Sequence, residues 1–136
     1  DMPLQVKCRK IVGGTSKGNA VVTKEPINFL AMLNTREATI IDQTHELFGR
    51  SIKDIVLVFP NAIGSSVGAY TIYSLKVNAV APTAIVCSNK ADITTASGCA
   101  ISNIPLVDML EKPASFIIHS GMDVRIDADK AIVEIL

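Results

Sequence analysis

Two adjacent serines, Ser65 and Ser66, lie in the run Gly64-Ser65-Ser66-Val67-Gly68, and their placement gives them chemical interest. The run follows the apolar stretch "DIVLVF", Asp54 to Phe59, and Pro60. It precedes "SVGAYTIYSLKVNA", in which Val67, Tyr70, Thr71, Ser74 and Leu75 recur at helical spacing. A strand that turns into a helix presents backbone N–H groups without intrahelical partners. The helix dipole favours negative charge at that point, so a carboxylate or phosphate is well placed there. Open α/β sheets also put ligands beyond the carboxyl ends of their strands. A plainer reading accounts for the same residues, and on residue types alone it leads. Ser65 or Ser66 caps the helix, and Gly64 and Gly68 relieve crowding.

Standard nucleotide motifs do not fit. No Gly-Lys-Ser/Thr follows the turn, and the glycines are not spaced as G-x-G-x-x-G. The letters of a nucleophile elbow fit with Ser66 central. A serine hydrolase would also need a histidine and an acid in support. His45 precedes the strand and reads as a surface or helix-start residue, while His119, in "FIIHSG", reads as a strand-end histidine.

The elements that position the turn follow from the pattern around it. "DIVLVF" is nearly continuous in apolar residues, as expected of a strand buried on both faces. "APTAIVCS" and "IPLVD" read as further short strands, and "DITTASGCAISN" as a helix with Asp92 as its N-cap. This strand–helix–strand–helix–strand order implies parallel strands joined by crossovers. Toward the N-terminus, "QVKCRKIV" alternates and ends at Gly13-Gly14, and "NAVVTK" follows a turn at Lys17-Gly18. The two are expected to pair as a hairpin. "EATIID" reads as a strand, and "THELFGRSI" as a short helical turn capped by Thr44 and ended by Gly49. "SFIIHS", "DVRID" and "AIVEIL" read as three closing β segments. The expected fold class is α/β, a compact β/β/α layout with a barrel or sandwich and flanking helices. It forms a single domain over residues 1–136.

Composition narrows the function. Of the 136 residues, 49% are hydrophobic and 19% charged, and thirteen basic residues balance thirteen acidic ones. There is no tryptophan and no basic run, which argues against nucleic-acid binding. No apolar run approaches the ~20 residues that span a bilayer, and the first ten residues lack the apolar core of a secretory signal. A cytoplasmic, non-membrane protein is expected. Cys8, Cys87 and Cys99 lack the short spacing of a zinc or iron–sulfur motif, and buried thiols are expected. Any metal or cluster this protein works with should come from another chain.

Six segments, in order, resemble the small subunit of aconitase X. They are "CRKIVGG", "VTKEPINFL", "IIDQTHELFGRSI", "IVLVFPNAIGSSVGAYTIYSLK", "APTAIVCSNKAD" and "GCAISNIPLVD". The likeness runs from about Val6 to Asp108, and the combination is specific although each motif alone is weak. It implies the swivelling β/β/α domain of aconitase-like dehydratases. The implied activity is that of a hydro-lyase subunit, active only with its large subunit, which removes water from a small anionic hydroxy acid. For archaeal members the substrate is (R)-5-phosphomevalonate and the product trans-anhydromevalonate 5-phosphate, in the mevalonate route to isoprenoids. The large subunit is expected to carry an iron–sulfur cluster that takes the leaving hydroxyl, with no metal or cofactor bound by this chain.

The resemblance makes Ser65 the proton acceptor. A serine hydroxyl is a poor base in water, so its alkoxide needs donors in a closed site. Amides around Gly64, Ser66 and Val67, with Gly68 opening the helix, are the expected substrate-binding elements. The chain departs from the family in two places. "AMLNTREAT" stands where relatives often carry a Gly-Gly-Val-Asp-Pro-like turn. The turn before the serine carries Ala62 and Ile63 where relatives often have a basic residue, and a lost lysine or arginine there would weaken any phosphate contact from this side. Two alternatives stay open: a hydroxyproline dehydratase subunit of the same broader family, and a non-catalytic assembly domain.

Overall fold

The computed structural model describes residues 4–136. The strands are β1 (Leu4–Lys7), β2 (Arg9–Val12), β3 (Thr15–Val22), β4 (Leu33–Asn34), β5 (Thr39–Ile40), β6 (Val56–Phe59), β7 (Ala84–Cys87), β8 (Leu106–Asp108), β9 (Asp123–Asp127) and β10 (Ile132–Ile135). The helices are α1 (Gly68–Val77), α2 (Ile93–Ser102) and α3 (Ala114–Ile117). Eight strands form one sheet in the order β1-β10-β9-β3-β6-β7-β8-β2, with β4 and β5 paired apart. The strands at the two ends, β1 and β2, are separated in the chain by Cys8 alone. The sheet therefore curls into a barrel whose ends are joined by one bent strand, which leaves little open edge.

Alternation along the central strands divides the core. Val56 and Val58 of β6, Ala84 and Val86 of β7 and Val107 of β8 pack inside the barrel with Ala20, Val124, Ile126 and Val133. Leu57, Phe59, Ile85, Cys87 and Leu106 point the other way, onto Ile72, Leu75 and Cys99 of the helices and onto Ile27, Phe29 and Ile40. Residues i and i+2 share a face of a strand, so a run apolar at every position must be covered on both sides. The inner set is small or β-branched and fits a narrow barrel. The outer set is larger, and the rings of Phe29 and Phe59 meet edge to face, their centroids 5.7 Å apart.

The β3·β6, β6·β7 and β7·β8 pairs are parallel, and α1 and α2 make the last two crossovers. Both helices lie on the outer face, in close mutual contact. A Cβ on Gly98 of α2 would fall 2.7 Å from Ile72 Cδ1 and 3.2 Å from the Ala69 carbonyl oxygen. Asp92 caps α2 as expected, accepting the Thr95 N–H at 2.9 Å. No described helix is long and apolar enough to cross a membrane.

Three local expectations are corrected. Residues 5–12 and 19–24 do not form a hairpin: β1 pairs with β10, β2 with β8, and β3 lies between β9 and β6. Barrel closure gives each strand a partner from elsewhere in the chain, and Lys17-Gly18 falls inside β3 instead of at a turn. "THELFGRSI" forms successive turns and no helix. Asp42, not Thr44, is the cap there, its Oδ1 accepting from the Thr44 N–H and hydroxyl at 2.8 and 2.7 Å. "SFIIHS" contributes one helical turn in place of a strand. Pro113 sets its start, and Ala114 and Ile118, four apart, both bury into the barrel interior.

Candidate active site

The Ser65 turn is held at the carboxyl end of β6 by two neighbouring segments. Beyond Pro60, the backbone of residues 61–63 runs parallel to residues 26–28. The Ile27 N–H donates to the Asn61 carbonyl at 3.3 Å and the Ile63 N–H to the Ile27 carbonyl at 3.0 Å. From the other side, the α2 cap reaches across: Asp92 Oδ1 accepts the Ala62 N–H at 2.9 Å. One carboxylate therefore caps a helix and pins the strand-to-loop junction three residues before Ser65.

Gly64 then turns the chain with φ +85°, in the left-handed region. It lies so close to Asn28 that a Cβ would fall 2.3 Å from Nδ2. Gly68, where α1 begins, faces both walls. A Cβ there would lie 3.2 Å from Thr94 Cγ2 and 3.4 Å from Phe29 Cβ. Residues 28–30 and 92–94 thus flank the serine turn. Exposed Leu30, Ile63, Val67, Tyr70 and Ile93 surround it as an apolar rim.

Within the turn, Ser65 Oγ accepts the Val67 N–H at 3.1 Å. The Ser65 and Ser66 carbonyls accept from Gly68 and Ala69 at 3.0 and 3.1 Å. The amides of Gly64, Ser65 and Ser66 have no acceptor among the described residues. Helix α1 has no side-chain cap bond, so neither serine is its N-cap, a position taken by Val67. The expected capping role for Ser65 or Ser66 is thereby corrected: the backbone already satisfies the first turn through i→i+3 bonds, and the Ser66 hydroxyl makes no cap bond. The hydroxyl that is engaged belongs to Ser65, and its bond has the sense that favours a negative oxygen. Gly64 through Val67 are all exposed, so the turn is an open surface and not a closed pocket.

The supports behind the turn are more buried. Asp108, fully enclosed at the end of β8, accepts from Arg9 Nε and Nη2 at 2.8 and 2.7 Å and from the Ala91 N–H at 2.7 Å. Burial works to raise its pKa. The Arg9 hydrogen bonds, the Ala91 N–H and the Arg9 charge outweigh burial and hold the carboxyl below its ordinary value. This pair fixes residue 91, and so the Asp92 that grips the serine turn. On the opposite wall, Glu46 accepts from the Thr23 hydroxyl and the Lys24 N–H, and the Glu46 N–H donates to Glu25 at 2.6 Å. His45 is buried here, not on the surface. Its Nδ1 accepts the Leu47 N–H at 3.0 Å and its Nε2 donates to the Pro26 carbonyl at 3.2 Å. Both ring nitrogens are thus used in holding the segment that leads to Asn28.

A separate cleft of about 780 Å³ opens between α3 and the ends of β3, β6 and β7, lined in part by Lys24, Asn89, Phe116 and His119. It shares Val58 and Pro60 with the run leading to Ser65 but not Ser65 itself. His119 is exposed in the turn after α3. Among the described residues, no group of three or more His, Cys, Asp or Glu side chains could hold a metal ion. The three cysteines are free thiols, and burial keeps them protonated. Burial and then Asp108 push Cys8 up to about 11, and burial pushes Cys87 and Cys99 higher still. Among the described residues, the cysteines are not grouped as an iron–sulfur centre requires.

The family model of the aconitase X swivel domain matches residues 5–135. Curated relatives include the phosphomevalonate dehydratase small subunit of Methanosarcina mazei. It is 38% identical over 135 residues, which are 99% of this chain and 93% of the relative. The phosphomevalonate dehydratase small subunit of Thermococcus kodakarensis is 41% identical over 133 residues, covering 98% and 97%. Among solved structures, a chain of Thermococcus kodakaraensis aconitase X in its holo-form superposes with TM-score 0.91, at 41% identity and 98% coverage of both chains. A solution structure of a UPF0107 protein gives TM-score 0.86 at 35% identity, covering 98% of this chain and 99% of the other.

Proposed function

The chain belongs to the aconitase X swivel-domain family, and from that membership we propose that it is the small subunit of a phosphomevalonate dehydratase, with Ser65 as proton acceptor. The observation that carries the reading is the near full-length likeness to small subunits of that enzyme, at 38–41% identity in the two relatives described. The chain is a hydro-lyase subunit and works with a large subunit. The exposed, apolar-rimmed turn supports this division, because a serine open to water has no means to act as a base.

The reaction is loss of water across C2 and C3 of (R)-5-phosphomevalonate. Ser65, as its alkoxide, takes a C2 proton and becomes the neutral hydroxyl, the electron pair left on C2 forms the double bond, and the C3 hydroxyl departs as water with a second proton supplied from the large subunit's side of the site. C2 lies beside the carboxylate, so negative charge develops next to an already anionic group. Three features of this chain favour that step. The Val67 N–H donates to Ser65 Oγ, the α1 N-terminus lends positive potential, and the unpartnered amides of Gly64 and Ser66 offer donors for an anionic oxygen. Help to the leaving hydroxyl is assigned to the large subunit, where the family likeness puts an iron–sulfur cluster, and this chain's residues take no part in it.

The test is to co-express the chain with its large subunit and assay phosphomevalonate and hydroxyproline side by side. The pair is expected to dehydrate phosphomevalonate, and the isolated small subunit to be inert. Turnover of hydroxyproline alone would overturn the substrate. Full activity from the large subunit alone would return this chain to an assembly role.

A further inference from the structure

Asn28 stands beside the serine turn with half of its side chain already committed. Its Oδ1 accepts the Ala31 N–H at 3.1 Å, and its own carbonyl accepts the Met32 N–H at 2.8 Å. An N–H donor can only face the carboxamide oxygen, so this bond fixes which end of the group is which. The Nδ2 end is directed at Gly64, at the place where a Cβ would lie 2.3 Å away, and it has no acceptor among the described residues. Asn28 is only partly buried, which leaves it open to a ligand. Its backbone is pinned by the residue 61–63 pairing and by His45 on the Pro26 carbonyl. A rigid, oriented amide donor with an unfilled valence, next to the residue preceding the catalytic serine, has the form of a substrate contact.

We propose that Asn28 is a substrate-contacting residue whose Nδ2 donates to the carboxylate of the hydroxy acid being dehydrated at Ser65. The inference rests on the dehydratase reading above and names a contact that reading does not contain. The choice of carboxylate follows from the substrate's covalent structure. The carbon that loses its proton to Ser65 is bonded directly to the carboxylate carbon, whereas the phosphate lies several bonds further along. A donor beside Gly64 therefore meets the carboxylate. As the proton leaves, negative charge spreads onto the carboxylate oxygens, so the bond strengthens in the transition state and acts on kcat as well as on KM. A neutral donor suits this position, because a lysine or arginine would fix the ground-state carboxylate just as tightly and give less differential binding.

The experiment uses the reconstituted pair with phosphomevalonate and three variants, Asn28→Asp, Asn28→Ser and Asn28→Ala, each checked by thermal unfolding and co-purification. Asn28→Asp keeps the shape and the acceptor for Ala31, loses the donor and places a charge against an anion. It is expected to unfold within a few degrees of the parent while kcat/KM falls ~100-fold or more, with kcat itself reduced. Asn28→Ser keeps a hydroxyl donor and an acceptor for the turn, and is expected to recover at least ~10-fold over Asn28→Asp. Asn28→Ala lowers both stability and activity. The proposal is overturned if Asn28→Asp retains activity within ~3-fold. It is equally overturned if activity across the three variants follows their unfolding temperatures and not the presence of a donor. If the parent pair turns over another hydroxy acid, the substrate reading fails and the same variants test Asn28 on that acid. Loss on phosphomevalonate that is matched on an analogue lacking the phosphate keeps the contact at the carboxylate. Loss confined to the phosphorylated acid moves it to the phosphate and refutes the assignment.

Discussion

Replacing Gly64 with alanine adds a methyl group where the chain has neither the conformation nor the space for it. At φ +85° an L-residue is strained by ~1–2 kcal/mol. The new Cβ would also fall 2.3 Å from Asn28 Nδ2, 2.6 Å from its Cγ and 2.9 Å from its Oδ1. The Asn28 side chain cannot simply swing aside, because Oδ1 is tied to Ala31. Forcing an extra carbon into such a contact costs a further ~1–3 kcal/mol. The total, ~2–5 kcal/mol, corresponds to a fall of roughly 7–20 °C in Tm for a chain of this size. A built-in control separates the two contributions. Gly49 has nearly the same backbone, φ +81°, with no atom within 4 Å of its would-be Cβ. Gly49→Ala therefore reads the strain alone and is expected to lower Tm by only ~3–8 °C. Differential scanning calorimetry of both variants, with the double variant Gly64→Ala/Asn28→Ala, isolates the contact. The double variant should be more stable than the sum of its parts, because removing the Asn28 side chain relieves the clash. Equal losses from Gly64→Ala and Gly49→Ala would refute the close approach of Asn28 to the serine turn, and with it the geometry on which that turn is built.

The other expectations concern the supports and the thiols. Asp108→Ala leaves the Ala91 N–H without an acceptor and Arg9 without its partner, although Arg9 is 44% exposed and regains water. A loss of ~2–3 kcal/mol by urea unfolding is expected. Because the folded-state pKa of Asp108 is depressed, its contribution is complete above the ordinary carboxyl range and is lost as pH falls through the lower folded-state value. The urea midpoint should thus hold from pH 7 to about 5, fall below about 4, and fall less steeply in Asp108→Asn. All three thiols are held protonated by burial, so Ellman's reagent at pH 8 should react with the native protein at a small fraction of its rate with the denatured chain. Fast stoichiometric labelling of Cys8 would contradict this.

Much of the site's frame was legible because local pattern and tertiary role agree there. The run from Val56 to Phe59 has too many apolar residues for a one-sided strand, the glycine–serine turn ends it, and Asp92 is spaced as a cap for the helix that follows. The barrel was not legible in the same way. Nothing in "QVKCRKIV" says that its halves pair with strands more than ninety residues away, since Arg9 meets Asp108 and Val6 meets Val133 only when the sheet closes. The turn of α3 has the sequence of a strand, because Phe116, Ile117 and Ile118 are good strand residues, and only barrel closure leaves them without a neighbouring strand. Asn28 gave no signal at all. Its role comes from contact with Gly64, far along the chain, and a single asparagine after Glu-Pro-Ile is unremarkable in composition. Likewise His45, whose spacing suits a surface or helix-start residue, is buried because its two ring nitrogens are satisfied by backbone groups that no spacing rule announces.

In the proposed dehydration the proton is removed by Ser65 Oγ, held under the Val67 N–H. Ser65→Ala deletes that single oxygen at an exposed position, so folding and assembly are expected to be untouched. The decisive measurement is single-turnover dehydration of phosphomevalonate by the reconstituted pair carrying Ser65→Ala, alongside Ser66→Ala, with co-purification of the large subunit verified for both. Ser65→Ala is expected to assemble normally and lose at least ~1000-fold in rate, while Ser66→Ala stays within ~10-fold. A Ser65→Ala pair that turns over substrate at a rate near the parent's would contradict that role for Ser65.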